Sequence, residues 1–330
     1  MTRSDPTGDR SPLPVVVDPR DERRHDAGSE PLWNESWYFD WAATDGSVGG
    51  YVRLGLYPNL GVAWYWACVV GEGRPLVTVL DHEVPIPQSG LEVRSEGLWA
   101  AHNLETALDH WSLGCEAFAV GVDDPTEVYG RELRGERVPF GIDLEWETDG
   151  QVYPYPGVDR YEVPCRVSGE VLVGAERIEV DGVGQRDHSW GVRDWWAYGW
   201  CWSSAALDDG TRVHATHVAV GGDQLYATGY LQSASGGLVA VDRVSCDQDL
   251  GPDGLPNRAW IGLDPDVAED GRSQAAVTLA IDPVAFSPVL LTAPDGRRSR
   301  FPRALCRVSV DDGRAGIGWT EWNQPESPRR

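Results

Sequence analysis

The chain has 330 residues, more than one ordinary domain of about 100–150 residues requires and enough for two. Its formal net charge is −24 and every basic residue is arginine, so nucleic-acid or membrane-surface partners are not expected, because an acidic surface repels phosphates and anionic lipids. No apolar run approaches the roughly 20 residues of a membrane span, and no signal-peptide pattern is present, which predicts a cytoplasmic protein. The six cysteines are widely spaced and predict buried apolar side chains rather than a metal site or disulfides.

Residues 1–30 are rich in Pro, Asp, Arg and Ser, and this composition predicts a flexible N-terminal tail. Residues 31–180 then alternate apolar and polar side chains with a period of two, as strands do. The predicted strands of this first domain are Trp33–Trp41, Tyr51–Tyr57, Val62–Val70, Leu76–His82, Leu91–Trp99, His110–Val122, Ile142–Thr148 and Tyr161–Val180. Helical periodicity is scarce, and Glu127–Arg137 is the one candidate helix.

Residues 181–330 repeat the same rhythm and form the second predicted domain. Its strands are Trp200–Leu207, Thr211–Val220, Leu225–Gln232, Val239–Cys246, Arg258–Leu263, Ala275–Ile281, Val289–Thr292, Ala304–Val310 and Gly316–Glu321. The chain also has 38 glycines and 23 prolines, which favour many short elements joined by turns. We therefore predict an all-β protein of two consecutive antiparallel β-barrels or sandwiches with few short helices.

The stretch 182–202 lies beside the predicted domain boundary and concentrates chemically capable side chains. It holds two acids, two arginines, one histidine, one tyrosine and five tryptophans. One interpretation is a structural cluster in which Arg–Asp pairs lie buried beneath tryptophan at an interface. The other is the wall of a pocket, because tryptophan offers a large apolar face that also attracts cations.

A family resemblance is found in this stretch. Asp187-His188-Ser189-Trp190-Gly191, which follows Gly184-Gln-Arg186, resembles the His-x-Trp signature of the carotenoid 1,2-hydratase and AttH-like family. The segments Trp37–Asn59 and Gly316–Glu321 also resemble actinobacterial relatives of that family. The resemblance covers roughly residues 30–325 and implies two consecutive lipocalin-like domains, in agreement with the two sets of strands.

The resemblance implies hydrophobic, often terpenoid, ligands and reactions such as the addition of water to an alkene. That reaction needs a desolvated acid, a base and a π face for the cation. Asp187 or His188 is the candidate acid and Trp190 the candidate π face. On a strand, His188 and Trp190 share one side and Asp187 takes the other. This would place His188 and Trp190 in the pocket and leave Asp187 to orient the histidine or to pair with Arg186 or Arg193.

Hydratases of the family share a Tyr-x-Asp on a neighbouring strand, but the corresponding place here is His214-Ala-Thr216 or Ala215-Thr-His217. The aligned acid is therefore absent, which counts against alkene hydration itself. Glu321 is a candidate second acid, with a structural role equally open. The expected substrate-binding residues are Arg193, Trp195, Trp196, Tyr198, Trp200, Trp202, His214, Thr216 and Glu321.

These observations favour a cofactor-independent acid–base enzyme acting on a hydrophobic, isoprenoid-like small molecule in a tryptophan-lined pocket. The reaction would be hydration or dehydration, isomerisation or cyclisation. The alternative is a non-catalytic carrier that binds a lipid or isoprenoid in the same pocket. No metal or other cofactor is expected, and the oligomeric state is left open.

Overall fold

The computed structural model describes residues 16–265 and 275–326. Most of these residues form strands, and three short 3₁₀ helices lie at Pro19–Glu22, Pro58–Leu60 and Pro125–Tyr129. Within the described ranges no α-helix is present, and no helix has the length and apolar character to cross a membrane. The all-β prediction is confirmed. The predicted helix at Glu127–Arg137 is wrong, because its start belongs to a 3₁₀ turn and its end to a strand.

Eight strands of the first half close into a barrel in the order β4-β3-β2-β1-β11-β10-β8-β7, and pairing between β4 and β7 completes the ring. β5 and β6 extend the sheet beyond β7, and β9 pairs with β10. The strands are β1 Trp33–Ala43, β2 Val48–Tyr57, β3 Val62–Gly71, β4 Leu76–Val84, β5 Glu92–Ser95, β6 Leu98–Thr106, β7 His110–Val122, β8 Glu136–Thr148, β9 Tyr153–Pro154, β10 Arg160–Val173 and β11 Glu176–Val192.

The second half forms another closed ring of eight strands, β12-β13-β14-β15-β16-β17-β20-β21, which pairing between β12 and β21 completes. β19 and β18 extend it beyond β21. The strands are β12 Gly199–Leu207, β13 Arg212–Val220, β14 Asp223–Gln232, β15 Leu238–Leu250, β16 Pro256–Pro265, β17 Val277–Phe286, β18 Val289–Thr292, β19 Arg298–Phe301, β20 Arg303–Val310 and β21 Ala315–Pro325.

The single strand expected over Tyr161–Val180 is two strands, because the chain reverses between Val173 and Glu176. Gly174 makes this tight turn possible, since its φ of +62° lies in the left-handed region that favours glycine. The returning strand β11 pairs with both β10 and β1 of the first barrel. The expected boundary between residues 180 and 181 therefore falls inside β11, and the first sheet extends to Val192.

Residues 16–30 are packed against the first barrel instead of forming the expected flexible tail; residues 1–15 of that predicted tail lie outside the described ranges. Val17 belongs to the first barrel's core, and the Glu22 side chain is fully buried. Glu22 accepts hydrogen bonds from Arg186 Nη1 (2.7 Å) and the Tyr161 hydroxyl (2.8 Å), and also from the Trp111 indole. Composition alone indicated a solvated segment because these partners lie far away along the chain.

Four apolar clusters hold the described part of the molecule together, of which the smallest consists of Tyr153, Tyr155 and Tyr230. The interior of the first barrel contains large aromatic side chains, among them Trp37, Trp41, Trp111 and Trp146. The interior of the second barrel is filled with smaller aliphatic residues from its strands. The third cluster joins the outer faces of the two barrels and is rich in aromatic rings: Tyr38, Tyr51, Tyr57, Trp64, Trp66, Trp195, Trp196, Trp202, Phe301 and Trp319. The candidate site lies within this third layer.

Candidate functional site

Strand β11 carries two different environments on its two faces. In its pairing with β1, Trp37 lies opposite His188, and the two rings stack with centroids 4.4 Å apart inside the first barrel. Asp187 has the opposite orientation and contacts Arg160 on the outer face, which meets the second barrel. The predicted alternation of Asp187 and His188 is therefore present, but the side of the strand that borders a cavity is the Asp187 side.

The space beside His188 and Trp190 is occupied by neighbouring side chains, contrary to the expectation that this pair borders a chamber. The His25 ring stacks on Trp190 with centroids 3.9 Å apart. His188 is 1% exposed, and its Nε2 lies 3.0 Å from Glu35 Oε1. Its Nδ1 lies 3.2 Å from the Tyr161 hydroxyl. Burial lowers the pKa of His188, which favours the neutral ring. This cluster connects the N-terminal segment to the barrel interior.

His25, Glu35 and His188 bring three metal-type ligand atoms within 4.8 Å of one another. Glu35 Oε1 accepts from His25 Nδ1 at 2.8 Å and also faces His188 Nε2. These interactions lower the pKa of Glu35, although burial alone would raise it. Hydrogen bonding within the trio accounts for its geometry without a metal ion.

A small cavity lies on the other face of β11, between the two barrels. Its polar lining comprises Ser36, Arg53, Arg160, Asp187, Arg193, Arg303 and Glu321, and its aromatic lining comprises Tyr38, Trp195 and Phe301. The volume of the cavity is about 20 Å³, which gives room for one or two water molecules. Both barrels contribute to this interdomain cavity, and the connecting segment 193–198 supplies Arg193 and Trp195.

Asp187 is a carboxyl group of the cavity in a strongly perturbed environment. It is 6% exposed, and its Oδ2 accepts from Arg160 Nη2 at 2.9 Å. Burial raises the pKa of Asp187 to about 7 against the opposing charge of Arg160, and Glu162 adds to the increase. A carboxyl with this pKa gives or takes a proton readily at neutral pH. Glu321 lies on the side of the second barrel, 2.9 Å from Arg303 Nη2.

Aromatic rings hold the arginines of the cavity in place. The guanidinium carbon of Arg303 lies 3.7 Å from the Tyr51 ring centroid and 4.7 Å from that of Tyr38. That of Arg53 lies 4.5 Å from the Trp66 centroid and 5.1 Å from that of Trp195. Such cation–π contacts fix the orientation of the charged groups and partly replace their hydration.

Glu162 organises a second polar network next to the cavity. It accepts from Arg160 Nε at 2.8 Å and from Trp202 Nε1 at 3.0 Å. Burial opposes the ionisation of Glu162, but Arg160, His214 and these hydrogen bonds outweigh it and lower its pKa. His214 Nε2 in turn lies 2.7 Å from the hydroxyl of Tyr155. The network holds Arg160 in the position from which it contacts Asp187.

The residues named from sequence therefore divide into four groups. Asp187, Arg193, Trp195 and Glu321 line the interdomain cavity. Trp196, Trp200, Trp202, His214 and Thr216 lie in the surrounding interface, where Thr216 Oγ1 is 2.6 Å from the Tyr155 hydroxyl. Tyr198 is 44% exposed. His188 and Trp190 face the interior of the first barrel.

Sequence reasoning missed Arg53, Arg160 and Arg303, which supply most of the positive charge of the cavity. One signal was available, because Arg53 stands in the middle of the apolar strand Tyr51–Tyr57 and Arg303 directly precedes the apolar run of β20. A charge inside an otherwise apolar strand indicates a buried partner or a ligand.

Comparison with solved structures shows the fold to which the chain belongs. A protein designated AttH from Nitrosomonas europaea matches with a TM-score of 0.60 at 16% identity, over 94% of this chain and 98% of that one. Kievitone hydratase from Nectria haematococca matches with a TM-score of 0.61 at 10% identity, over 97% and 96%. CghA in complex with Sch210972 matches with a TM-score of 0.59 at 12% identity, over 91% and 90%. The chain therefore has the two-domain, lipocalin-like AttH-type fold.

Residues 18–326 match the model of a family described as a domain of unknown function, DUF7064. The chain belongs to that family. The sequence comparison with curated proteins found no match.

Proposed function

We propose that the protein is a cofactor-independent acid–base enzyme of the hydratase/dehydratase or isomerase type, acting in the interdomain cavity. The observation that carries the proposal is Asp187, a buried carboxyl with a pKa of about 7 that lines this cavity beside Arg160. Titratable groups poised near neutrality in a buried site are typical of proton-transfer catalysts. Kievitone hydratase, a protein of the same fold, is consistent with this proposal.

The charge of the cavity favours one kind of intermediate. Four arginines line it, and such a lining destabilises a carbocation and stabilises a developing oxyanion. Hydration of an isolated alkene through a tertiary cation, which the family resemblance implies, is therefore disfavoured here. Proton transfer at a carbon next to a carbonyl group is favoured instead, because the negative charge passes onto oxygen near the guanidinium groups.

In the dehydration direction, the carboxylate of Glu321 removes the proton from the carbon next to the carbonyl group. The electron pair of that C–H bond forms the double bond, and the neighbouring hydroxyl group leaves with the electron pair of the C–O bond. Asp187 gives its proton to the leaving hydroxide, which departs as water. Exchange with solvent restores both carboxyl groups, and hydration follows the same path in reverse. Isomerisation uses the proton transfers alone.

The cavity also constrains how a substrate is held. Its volume of about 20 Å³ accommodates the reacting end of a molecule only, so a larger substrate requires movement of the linker side chains Arg193 and Trp195. The aromatic walls from Tyr38, Trp195 and Phe301 suit a hydrophobic remainder. An isoprenoid-like skeleton and a cytoplasmic location stay predictions. Both barrel interiors contain clusters of buried apolar side chains, which supports the enzyme over a carrier that holds its ligand inside a barrel.

The proposal is tested by isotope incorporation from solvent. The protein is incubated with a small-molecule extract in water enriched in oxygen-18 and, separately, in deuterium oxide, and products are followed by mass spectrometry. Hydration adds labelled oxygen, and isomerisation adds deuterium. We expect Asp187→Asn to abolish incorporation and Asp40→Asn to preserve it. Asp40 is the matched control because burial raises its pKa to about 8, while it lies outside the lining of this cavity. Equal incorporation in the wild type and Asp187→Asn would reject the proposal.

A further inference from the structure

The interdomain cavity carries more positive charge than its own carboxylates balance. Arg160 pairs with Asp187 and Glu162, and Arg303 pairs with Glu321. Arg53 and Arg193 have no carboxylate within ion-pair distance in the part of the chain that the structure describes. Four guanidinium groups thus face three carboxyl groups, one of which, Asp187, has a pKa of about 7. This local excess of positive charge stands in a chain whose net charge is −24.

The four arginines also repel one another. Burial lowers the pKa of Arg193 to about 10, and the charges of Arg160 and Arg53 contribute to the decrease. Gathering like charges in a buried space is unfavourable unless an opposite charge joins them. The described residues do not supply that charge within ion-pair distance of Arg53 and Arg193.

Hydrogen bonding in the cavity is incomplete as well. Arg53 is 3% exposed and Arg303 is 1% exposed. Among the described residues, nothing accepts a hydrogen bond from Arg53 Nη1 or from Nε and Nη1 of Arg303. A buried donor without an acceptor costs free energy, most of all when it is charged. Aromatic rings hold these groups in place, and Arg53 Nη2 donates to the Tyr57 hydroxyl at 3.4 Å, which leaves the Nη1 donor unmatched.

We infer that the interdomain cavity binds a carboxylate group, and that Arg53, Arg193 and Arg303 recognise it. The space open to one or two waters suits the two oxygens of a carboxylate better than the four oxygens of a phosphate. A single negative charge also cancels the excess of one guanidinium group that remains when Asp187 is ionised. Planar guanidinium groups match the geometry of a carboxylate.

The inference rests on the proposed function in taking this carboxylate to be part of the substrate. In that case the carboxylate of the substrate is the group that activates the carbon next to it for proton transfer beside Asp187. The arginines then bind the substrate before reaction and stabilise the further negative charge that develops on its oxygens. The substrate class is accordingly a hydrophobic carboxylic acid.

Binding is tested on the full chain with benzoate and with benzamide, its uncharged counterpart of the same shape. Isothermal titration and the fluorescence of tryptophan report binding, and thermal unfolding reports stabilisation. We expect benzoate to bind and benzamide not to bind. Arg53→Gln and Arg303→Gln should weaken benzoate binding by about tenfold or more. Arg258→Gln is the matched control because Arg258 forms an exposed ion pair with Asp282 on the second barrel, and it should leave binding unchanged.

If Arg53→Gln or Arg303→Gln fails to fold, Arg193→Gln is used instead, because Arg193 is only half-buried. Equal binding of benzoate and benzamide, or benzoate binding unaffected by the cavity variants, would overturn the inference. So would stabilisation by inorganic phosphate without benzoate binding, since the site would then take a free inorganic anion and not a carboxylate.

The two proposals fail separately. Benzoate binding without solvent-label incorporation would reject the enzyme and leave the carboxylate site. Asp187-dependent incorporation into uncharged metabolites, without benzoate binding, would reject the carboxylate site and leave the enzyme.

Discussion

The raised pKa of Asp187 has a consequence for folding stability that is measurable without a substrate. In the folded protein burial raises this pKa from 3.8 to about 7. Between these two pH values the folded state keeps the proton and the unfolded state releases it. The contribution of Asp187 to stability is therefore fully present below about pH 4 and decreases as the pH rises to about 7.

The magnitude follows from the same values. One pKa unit corresponds to about 1.4 kcal/mol, so the rise to about 7 corresponds to about 4 kcal/mol. Asp187→Asn keeps the shape of the neutral carboxyl and cannot ionise. We expect the free energy of unfolding of Asp187→Asn, relative to the wild type, to increase by about 4 kcal/mol between pH 4 and pH 8.

The assay is denaturant unfolding followed by tryptophan fluorescence at a series of pH values. Asp181→Asn is the matched control because Asp181 lies on the same strand and is exposed to solvent. Its difference from the wild type should not change with pH. A difference between Asp187→Asn and the wild type that is constant from pH 4 to pH 8 would refute the reasoning about the cavity.

Two further predictions concern the N-terminal segment. Glu22→Ala should lower the free energy of unfolding by about 3–5 kcal/mol in denaturant unfolding, because it leaves the buried Arg186 without its ion-pair partner. Glu30→Ala, at an exposed position, is the control. An equal loss of stability in both variants would contradict the assigned role of Glu22. The ion pair with Glu35 helps to raise the pKa of His25, although burial opposes the increase. The stabilising contribution of this ion pair is therefore present below pH 6.5, and it is lost as the pH rises through the higher pKa that His25 has in the folded state. Hydrogen exchange at residues 16–25, corrected for the intrinsic effect of pH, should therefore become faster from pH 6 to pH 8, and unchanged protection would contradict it.

The fold was predictable from sequence because alternation at a period of two continues through nearly every strand. The hairpin of β10 and β11 was missed because apolar residues such as Val171 and Val173 continue up to the turn, where Gly174 and Ala175 leave little local signal. The packing of residues 16–30 against the first barrel was missed for another reason. Their charged residues indicate solvent, and only the folded barrel provides the partners of Glu22.

The site was predictable in part. Alternation separated Asp187 from His188, but it does not tell which face of the strand borders a cavity. The reason is physical, because residues 185–189 are all buried, so neither face meets solvent. Arg53 and Arg303 come from distant strands, and no local pattern places them beside Asp187. Their meeting depends on the docking of the two barrels.

Because Glu22 is inserted into the first barrel, it determines the shortest segment of the chain that can be exchanged between relatives as a folded unit. Its ring of strands begins at Trp33, yet the side chain that neutralises Arg186 comes from upstream of that point. A chimera that grafts this barrel onto a relative must carry the stretch from about residue 16 together with its arginine partner. Splicing at the first strand would leave an orphaned cation in the middle of the graft.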